Sequence, residues 1–370
     1  MNTKRITVGT NLYGYNQLRN FISLPFQNVN FQKVYDFNKL VTHLKYKVLS
    51  KVDHHRLNQF NNFGLSNVHL YHFFNALTPS RKPWIVTYES QLPRPDTNFI
   101  NGYDWLSGNS CKKIIALSQR AHDAQSHLLD QHPSYRESIK EKMMILQPSQ
   151  ERLLDGISSK DFDGEIVFTF IGRHFFRKGG WELFQAFERL CRLGLPIKLI
   201  VISDMEFSGY QDWHITPEMV SQAKRLLSTN PLIEHYSTMP NFQVLEILKR
   251  SHIGILPSWG ETYGYSVLEA MACGCAVVVP NVSPFPEFVS PEWGWLLEVN
   301  KTLTNGAERS DPTVENSQRM IDGIVATVQE IVSNRDTLQS KCENALNAIS
   351  MNHNPLKAAT VLEDIYQKAI

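Results

Sequence analysis

The sequence predicts an α/β protein of two domains, each built on a parallel β-sheet flanked by helices. Three features indicate this fold class. The chain has 370 residues, which is too long for one ordinary domain and suits two of similar size. Short apolar runs of strand length alternate with segments whose apolar residues recur at helical spacing. Turns that contain glycine follow several of these runs, as expected where a parallel strand leads into a helix.

Composition favours a soluble globular enzyme, with 42% hydrophobic and 20% charged residues. No apolar run reaches the roughly 18 residues that a membrane span needs, and the N-terminal residues enter a strand pattern without the apolar core of a signal peptide. The five cysteines are an odd number without metal-binding spacing, which fits a reducing compartment. We therefore expect a cytoplasmic protein.

Charge is unevenly distributed along the chain. Residues 1–160 contain 20 Lys/Arg and 11 Asp/Glu, whereas residues 161–370 contain 17 and 25, so that formal charges of +9 and −8 nearly cancel. A basic first domain predicts an acidic acceptor or an anionic membrane surface as its partner, with peripheral contact at the inner membrane face. The alternative is a solvated surface that complements the other domain.

The first domain, predicted over residues 1–160, begins with a strand at Ile6–Gly9, a loop at Asn11–Tyr15 and a helix near Gln17–Ile22. Residues Lys39–Lys51 alternate basic and apolar residues at helical spacing. This segment fits either contact with phospholipid headgroups or an ordinary surface helix.

Four more strands are predicted in the first domain. They are predicted at Val68–Phe74, Trp84–Glu89, Lys112–Ser118 and Met143–Pro148. Ser118 is expected to cap the helix after the third of these strands. Residues 151–164 are polar and rich in Gly, Asp and Ser, which is typical of a linker.

The second domain, predicted over residues 161–350, starts with a buried strand at Glu165–Gly172 and an amphipathic helix at Gly179–Leu193. Arg173 and Lys178 lie in the turn between them. Arg grips two oxygens in a fork and Lys supplies a point charge, so two cations beside glycines on such a turn suit a diphosphate. Arg177 is a further cation of unassigned role.

A second segment has the order strand, loop, helix, strand. The strands are Ile253–Leu256 and Ala276–Val279, and the helix is predicted at Val267–Cys273. Its loop carries Glu261 and its helix carries Glu269, both beyond the carboxyl end of the first strand, where parallel sheets bind ligands.

The backbone amides of Tyr263, Gly264, Tyr265 and Ser266 lie at the N-terminus of that helix, and helix N-termini bind anions. The alternative for Glu269 is structural, because Ser266 and Glu269 have the spacing of a capping box. Further elements are predicted in order, ending with a helix after Pro355: Leu199–Ser203, Leu232–Tyr236, Phe242–Arg250, Gly294–Leu297, Pro312–Ser333 and Leu338–Ile349.

The stretch from Glu261 to Val278 resembles the Glu-x7-Glu motif of retaining, nucleotide-sugar-dependent glycosyltransferases of the family 4 type. The Arg173 to Gly179 turn is similar to the Gly-Arg…Lys-Gly signature of the same family. The resemblance implies a GT-B fold, in which two Rossmann-like domains face each other across a cleft. It also implies that the C-terminal helix, about 354–370, crosses back to the first domain.

The resemblance further implies the transfer of a hexose from a nucleoside diphosphate sugar to an acceptor hydroxyl, with retention of configuration. Arg173 and Lys178 would bind the donor phosphates, Glu269 the ribose, and Glu261 the donor sugar. Residues 235–238 would lie beside the nucleobase. No metal and no other cofactor are implied, because protein cations neutralise the diphosphate.

On the acceptor side the sequence departs from the family pattern. Glu89 and Ser90 stand where the family commonly has a His-Asp pair, so Glu89 and His72 are alternative candidates for the missing histidine. The first loop has only Gly9 and Gly14. The expected acceptor is a saccharide or a lipid-linked glycan, and nucleic acid is not expected, because the scattered aromatic residues form no basic platform. A nucleotide-sugar epimerase and a non-catalytic GT-B binding protein are the alternatives.

Overall fold

The computed structural model describes residues 5–49, 58–94, 101–205 and 215–370, which belong to two compact units. The first unit contains Met1–Ser149, Asn305–Ala307 and His353–Ile370. The second contains Gln150–Thr304 and Glu308–Asn352. No helix of the described ranges is both long enough and apolar enough to cross a bilayer.

The first unit is a six-stranded parallel sheet with helices, and its strand order is β2-β1-β3-β4-β5-β6. Its strands are β1 (Ile6–Thr10), β2 (Val29–Lys33), β3 (Leu70–Phe74), β4 (Trp84–Tyr88), β5 (Cys111–Ala116) and β6 (Met143–Ile145). Its helices are α1 (Tyr15–Gln17, continued by a π-helical turn Leu18–Ile22), α2 (Phe37–Leu49), α3 (Gly102–Ser107), α4 (Gln119–Asp130), α5 (Pro133–Lys140) and α12 (Pro355–Ala369). β3 and β4 are buried along their whole length, as central strands of a parallel sheet are.

The second unit repeats this design with the strand order β12-β11-β10-β7-β8-β9. Its strands are β7 (Ile166–Ile171), β8 (Ile197–Ile202), β9 (Ile233–Tyr236), β10 (Ile253–Ile255), β11 (Ala276–Pro280) and β12 (Gly294–Leu297). A two-stranded sheet of β13 (Lys301–Thr304) and β14 (Ala307–Ser310) follows along the chain. Its helices are α6 (Gly180–Cys191), α7 (Pro217–Thr229), α8 (Asn241–Arg250), α9 (Tyr265–Ala272), α10 (Val314–Ser333) and α11 (Arg335–Asn352). The α/β prediction is confirmed for both halves of the chain.

Several elements differ from the sequence prediction, and helices α3, α5 and α7 were not predicted at all. β2 was missed because it is an edge strand in which only Val29 is buried, so it lacks an apolar run. The β13 and β14 pair was missed although Asn305 and Gly306, both at positive φ, form the Asn-Gly pair that favours tight hairpins. Helix α9 begins two residues earlier than predicted, at Tyr265.

The last helix, α12, belongs to the first unit, in agreement with the resemblance. Its Tyr366 is fully buried, and the Tyr366 hydroxyl hydrogen-bonds His72 Nδ1 at 2.6 Å. Glu363 Oε1 accepts hydrogen bonds from the amides of Gln27 (3.1 Å) and Asn28 (2.6 Å). These contacts anchor the C-terminal residues to strand β3 and to the start of β2.

The candidate role of His72 in ligand binding is wrong. His72 is 0% exposed, its Nε2 hydrogen-bonds Thr87 Oγ1 at 2.8 Å, and its ring stacks on Phe21 with 3.9 Å between ring centroids. Both ring nitrogens therefore have partners inside the core. Sequence alone missed this because the partner Tyr366 lies 294 positions away.

His72 predicts a pH dependence of stability. Burial lowers the pKa of His72 from 6.5 to about 3. As the pH falls, His72 is protonated in the unfolded chain before it is protonated in the folded protein. Its contribution to folding stability is therefore complete above pH 6.5 and is lost as the pH falls from 6.5 toward 3. Between pH 7.5 and 5.5 we expect this residue to lower the free energy of unfolding by about 1.4 kcal/mol, which is a tenfold change in the folding equilibrium.

The measurement is chemical denaturation of the wild type and of His72→Gln at the two pH values. The variant should be less stable at pH 7.5 but should show a smaller loss on acidification. His43→Gln, which removes an exposed histidine, is the matched control and should follow the wild type. An unchanged pH dependence in His72→Gln would contradict this prediction.

Candidate functional site

The turn after β7 carries the two cations of the predicted phosphate site. Arg173 is exposed, and its Nε lies 3.4 Å from Asp204 Oδ2 at the end of β8. Lys178 is half-buried and immediately precedes Gly179, which is the N-cap of α6. Gly179 has φ 76°, and a Cβ there would lie 1.9 Å from the carbonyl oxygen of Pro257. Only glycine lets this turn approach the segment after β10 so closely.

The loop after β10 carries Glu261 and leads into α9. Its last residue, Gly264, is the N-cap of the helix and has φ 97°, in the left-handed region. A Cβ at Gly264 would lie 2.8 Å from the ring of Phe285. Helices leave their first amides without intrahelical acceptors. The amides from Gly264 to Ser266 therefore lie where an anion can approach the backbone.

The two loops meet because β7 and β10 are neighbours in the sheet and the strand order reverses between them. This is a topological switch point, where open parallel sheets bind ligands. Lys178 Nζ contacts Glu261 Oε1 directly, although 83 residues separate them along the chain. Arg177 Nη1 also donates to the Gly260 carbonyl at 2.8 Å. The structure thus brings Lys178 and Glu261 together as one ion pair.

Glu261 is a buried carboxylate held in its ionised form. Burial raises its pKa, but the charges of Lys178 and Arg177 and the hydrogen bonds from Lys178 and Ser258 outweigh this effect, so the pKa is lowered overall. Ser258 Oγ donates to Glu261 Oε1 at 2.9 Å. The sequence analysis did not identify Ser258. The feature that could have identified it is a hydroxyl side chain three residues before the Glu261 carboxylate.

Glu269 does not occupy the capping-box position. The N-cap of α9 is Gly264, not Ser266, and no side chain caps this helix end. A capping-box acid lies three residues after the N-cap, at Val267 here, whereas Glu269 is the fifth residue of the helix. Glu269 is 8% exposed. The capping alternative is therefore wrong, and the ribose-binding role stays a prediction.

Glu182 is a further buried acid that sequence reasoning missed. Ser317 Oγ donates to its Oε1 at 2.7 Å, and Trp259 Nε1 donates to its Oε2 at 3.3 Å. Burial raises the pKa of Glu182, and these hydrogen bonds oppose the rise. Because Trp259 lies two residues before Glu261, Glu182 fixes the loop that carries the candidate site.

The segment predicted to lie beside the nucleobase follows β9. His235 Nε2 hydrogen-bonds the carbonyl of Ser203 at 2.7 Å, which joins the ends of β8 and β9. The segment that follows β8 lies outside the described residues from position 206 to position 214. The nucleobase contacts remain a prediction.

In the first unit, Glu89 follows β4 and is partly exposed. Its Oε1 accepts from Asn75 Nδ2 at 3.1 Å and lies 3.4 Å from Arg94 Nη1. Glu89 is thus the remaining candidate for the position that the family gives to histidine. A Cβ at Gly9, in the strand before the first loop, would lie 2.8 Å from the Tyr71 ring, so this glycine serves strand packing.

A metal site is not evident in the described residues, where no group of three His, Cys, Asp or Glu side chains is placed to hold an ion. The sequence contains one Asp-x-Asp pair, Asp161 and Asp163. Asp161 Oδ1 accepts from the amides of Asp163 and Gly164, both at 3.1 Å, and so stabilises a turn in the linker.

Residues 157–319 match the sequence model of a family described as glycosyl transferases group 1. The D-inositol 3-phosphate glycosyltransferase of Segniliparus rotundus is 26% identical over 133 residues, which is 36% of this chain and 28% of the relative. The glycogen synthase of Mycobacterium tuberculosis is 23% identical over 208 residues, which is 56% of this chain and 43% of the relative. The match therefore spans less than half the length of either curated relative.

Solved structures resemble nearly the whole chain. An enzyme from Burkholderia xenovorans, titled a UDP-forming α,α-trehalose-phosphate synthase, has a TM-score of 0.64 at 11% identity and covers 99% of both chains. Anabaena HepE, in complex with UDP and glucose, has a TM-score of 0.56 at 14% identity and covers 98% of this chain and 91% of its own. A glycosyltransferase of Rickettsia africae has a TM-score of 0.59 at 14% identity, and the match covers 92% of this chain and 85% of that protein. The fold is GT-B.

Proposed function

Because the chain has the GT-B fold and its second unit matches the group 1 glycosyl transferases, we propose that it is a glycosyltransferase. It moves a hexose from a nucleoside diphosphate sugar to an acceptor hydroxyl with retention of configuration. The observation that carries the proposal is the Lys178–Glu261 pair, held at the switch point of the sheet beside the N-terminus of α9. The acceptor is a saccharide or a lipid-linked glycan.

The developing negative charge of the departing diphosphate requires preorganised cations and amides, which lower the barrier most when they are already in place. Arg173, Lys178 and the amides from Gly264 to Ser266 supply them. Lys178 also contacts Glu261, so in this proposal one ammonium group interacts with both the donor phosphates and the carboxylate assigned to the sugar.

Glu261 orients the hydroxyls of the donor sugar and stabilises positive charge near the anomeric carbon. The lowered pKa of Glu261 keeps this group ionised at neutral pH. Glu269 accepts hydrogen bonds from the ribose. Both glutamates lie on one loop-and-helix segment rather than on opposite sides of the scissile bond, so the paired-carboxylate arrangement of retaining hydrolases is not required.

The proposed location is the cytoplasm. All five cysteines are free thiols, four of them buried, which supports a reducing compartment. Among the curated and structural relatives, HepE is titled as a complex with UDP and glucose, which makes UDP-glucose the first donor to test.

Nucleotide binding tests the donor site. A thermal-shift panel of UDP, GDP and ADP should raise the melting temperature of the wild type with one nucleotide, because a ligand at about 100 times its Kd adds roughly 2.7 kcal/mol of stability. Arg173→Ala and Glu269→Gln should reduce this shift while keeping the melting temperature of the ligand-free protein. Arg192→Ala, a cation at the opposite end of α6, is the matched control.

Activity assays distinguish a glycosyltransferase from an epimerase and from a non-catalytic binding protein. Transfer should require an acceptor and should persist in excess chelator, since protein cations neutralise the diphosphate. Loss of activity that Mg²⁺ or Mn²⁺ restores would contradict the metal-independent mechanism. Isomerised donor in the absence of acceptor would indicate an epimerase, and nucleotide binding without any turnover would indicate a non-catalytic binding protein.

A further inference from the structure

The first unit exposes a group of large apolar side chains near its N-terminus. Of the sixteen such side chains exposed among the described residues, eight lie between positions 12 and 65. Tyr35 is 91% exposed, Phe63 72% and Leu65 78%. Scattered exposed apolar residues are common on soluble proteins, but a contiguous group marks an interaction surface.

One of these side chains, Phe63, contacts the partly buried ring of Phe37, and the two segments that carry them hydrogen-bond to each other. The Phe37 amide donates to the Asn61 carbonyl at 2.9 Å, and the rings of Phe37 and Phe63 lie 5.2 Å apart. We name this surface the aromatic ridge, and it consists of Tyr35, Phe37, Leu40, Phe63 and Leu65. Leu40 lies on α2, which overlaps the Lys39–Lys51 segment that fits contact with phospholipid headgroups.

Phe63 is held outward by a strained and well-anchored turn. Its φ is 52°, in the left-handed region where a bulky residue is a genuine outlier. Asn61 Oδ1 accepts from the Phe63 amide at 2.9 Å, and Asn62 Nδ2 donates at 3.1 Å to the hydroxyl of Tyr71, which is fully buried. Strain of this kind persists where the surrounding structure imposes it, and it is found at functional surfaces.

The part of the sequence that contains the ridge is strongly basic. Residues 1–88 contain eleven Lys/Arg and only two acidic residues, a formal charge of +9 that equals the whole surplus of residues 1–160. Lys33 is exposed at the end of β2, and Lys39 lies between Phe37 and Leu40 on α2. The neighbouring acid, Asp36, is buried and accepts from the Asn61 amide at 3.3 Å.

We propose that the aromatic ridge docks on the surface of an anionic phospholipid bilayer. Aromatic and leucine side chains partition into the headgroup boundary, and basic residues around them are attracted to anionic lipids. A second copy of this chain fits the surface poorly, because it would bring a second +9 segment against the first. The proposal concerns binding alone and is independent of the transfer reaction.

Vesicle flotation of the full chain tests this surface without any donor or acceptor. The wild type should float with vesicles of phosphatidylcholine and phosphatidylglycerol, should float less in high salt, and should not float with phosphatidylcholine alone. Phe63→Asn combined with Leu65→Ser should lower the bound fraction at least about tenfold. Asn is favoured at positive φ, so the Phe63→Asn change should not impair folding.

Leu303→Ser is the matched control, because Leu303 is 76% exposed on strand β13 of the second unit and is not part of residues 1–88. It should bind vesicles like the wild type. The proposal is overturned if the wild type ignores anionic vesicles or if the ridge variant binds them equally well. It is also overturned if light scattering shows a dimer that the ridge variant abolishes, since the ridge would then be a protein interface.

Discussion

Lys178→Ala is expected to lower kcat/KM for glycosyl transfer by about 10²- to 10³-fold, the cost of removing one preorganised charge-stabilising group. The substitution also leaves Glu261 buried without its cation, since Lys178 Nζ is the ion-pair partner of Glu261 Oε1. The loss of a buried partner costs about 3–5 kcal/mol of stability. Steady-state kinetics and chemical denaturation should therefore both change.

A double variant separates the two effects. Lys178→Met with Glu261→Gln removes both charges, so its stability should recover toward the wild-type value while its activity stays low. Arg192→Ala, at the far end of α6, is the control and should change neither quantity by more than about 0.5 kcal/mol. If the double variant recovers turnover, or if Lys178→Ala retains it, the pair has no part in catalysis.

The stabilising effect of Glu261 has a defined pH direction. Because its pKa in the folded protein is lowered, its contribution is present above the unfolded value near 4.5 and is lost as the pH falls through the folded value. Acid should therefore destabilise the second unit less in the double variant than in the wild type.

Gly179→Ala is expected to destabilise the second unit by more than about 3 kcal/mol, enough to lower the folded fraction at physiological temperature. Two costs add at this position. A left-handed residue other than glycine costs about 1–2 kcal/mol, and the new Cβ would lie 1.9 Å from the Pro257 carbonyl oxygen, so the two loops of the site must separate.

Gly194→Ala isolates the first of these costs. Gly194 also has a positive φ, 62°, but a Cβ there meets nothing within 4 Å. It should lose only about 1–2 kcal/mol in a denaturation followed by tryptophan fluorescence. Equal losses in the two variants would show that the close approach to Pro257 does not matter. Residual soluble Gly179→Ala protein should also bind nucleotide weakly, because the turn carrying Lys178 would no longer contact the loop carrying Glu261.

The sequence was informative about the second unit because its elements follow local rules. Strand β7 is an apolar run interrupted only by Thr169, and the glycines of the turn after it mark a conformation that few other residues can form. The edge strand β2 and the β13–β14 pair were missed, since edge strands bury few side chains and give a weak pattern. The prediction was therefore most accurate where strands are central.

On its own, the sequence determined the two parallel sheets, the cationic turn after β7 and the acidic loop after β10, because periodicity, glycine and charge act over a few residues. Only the tertiary structure decided which distant groups meet. It placed β7 beside β10 and so joined Lys178 to Glu261, and it enclosed His72 between Phe21 and Tyr366. The physical reason is that strand order and helix docking are fixed by burying apolar area across the whole unit, and no short segment encodes that choice.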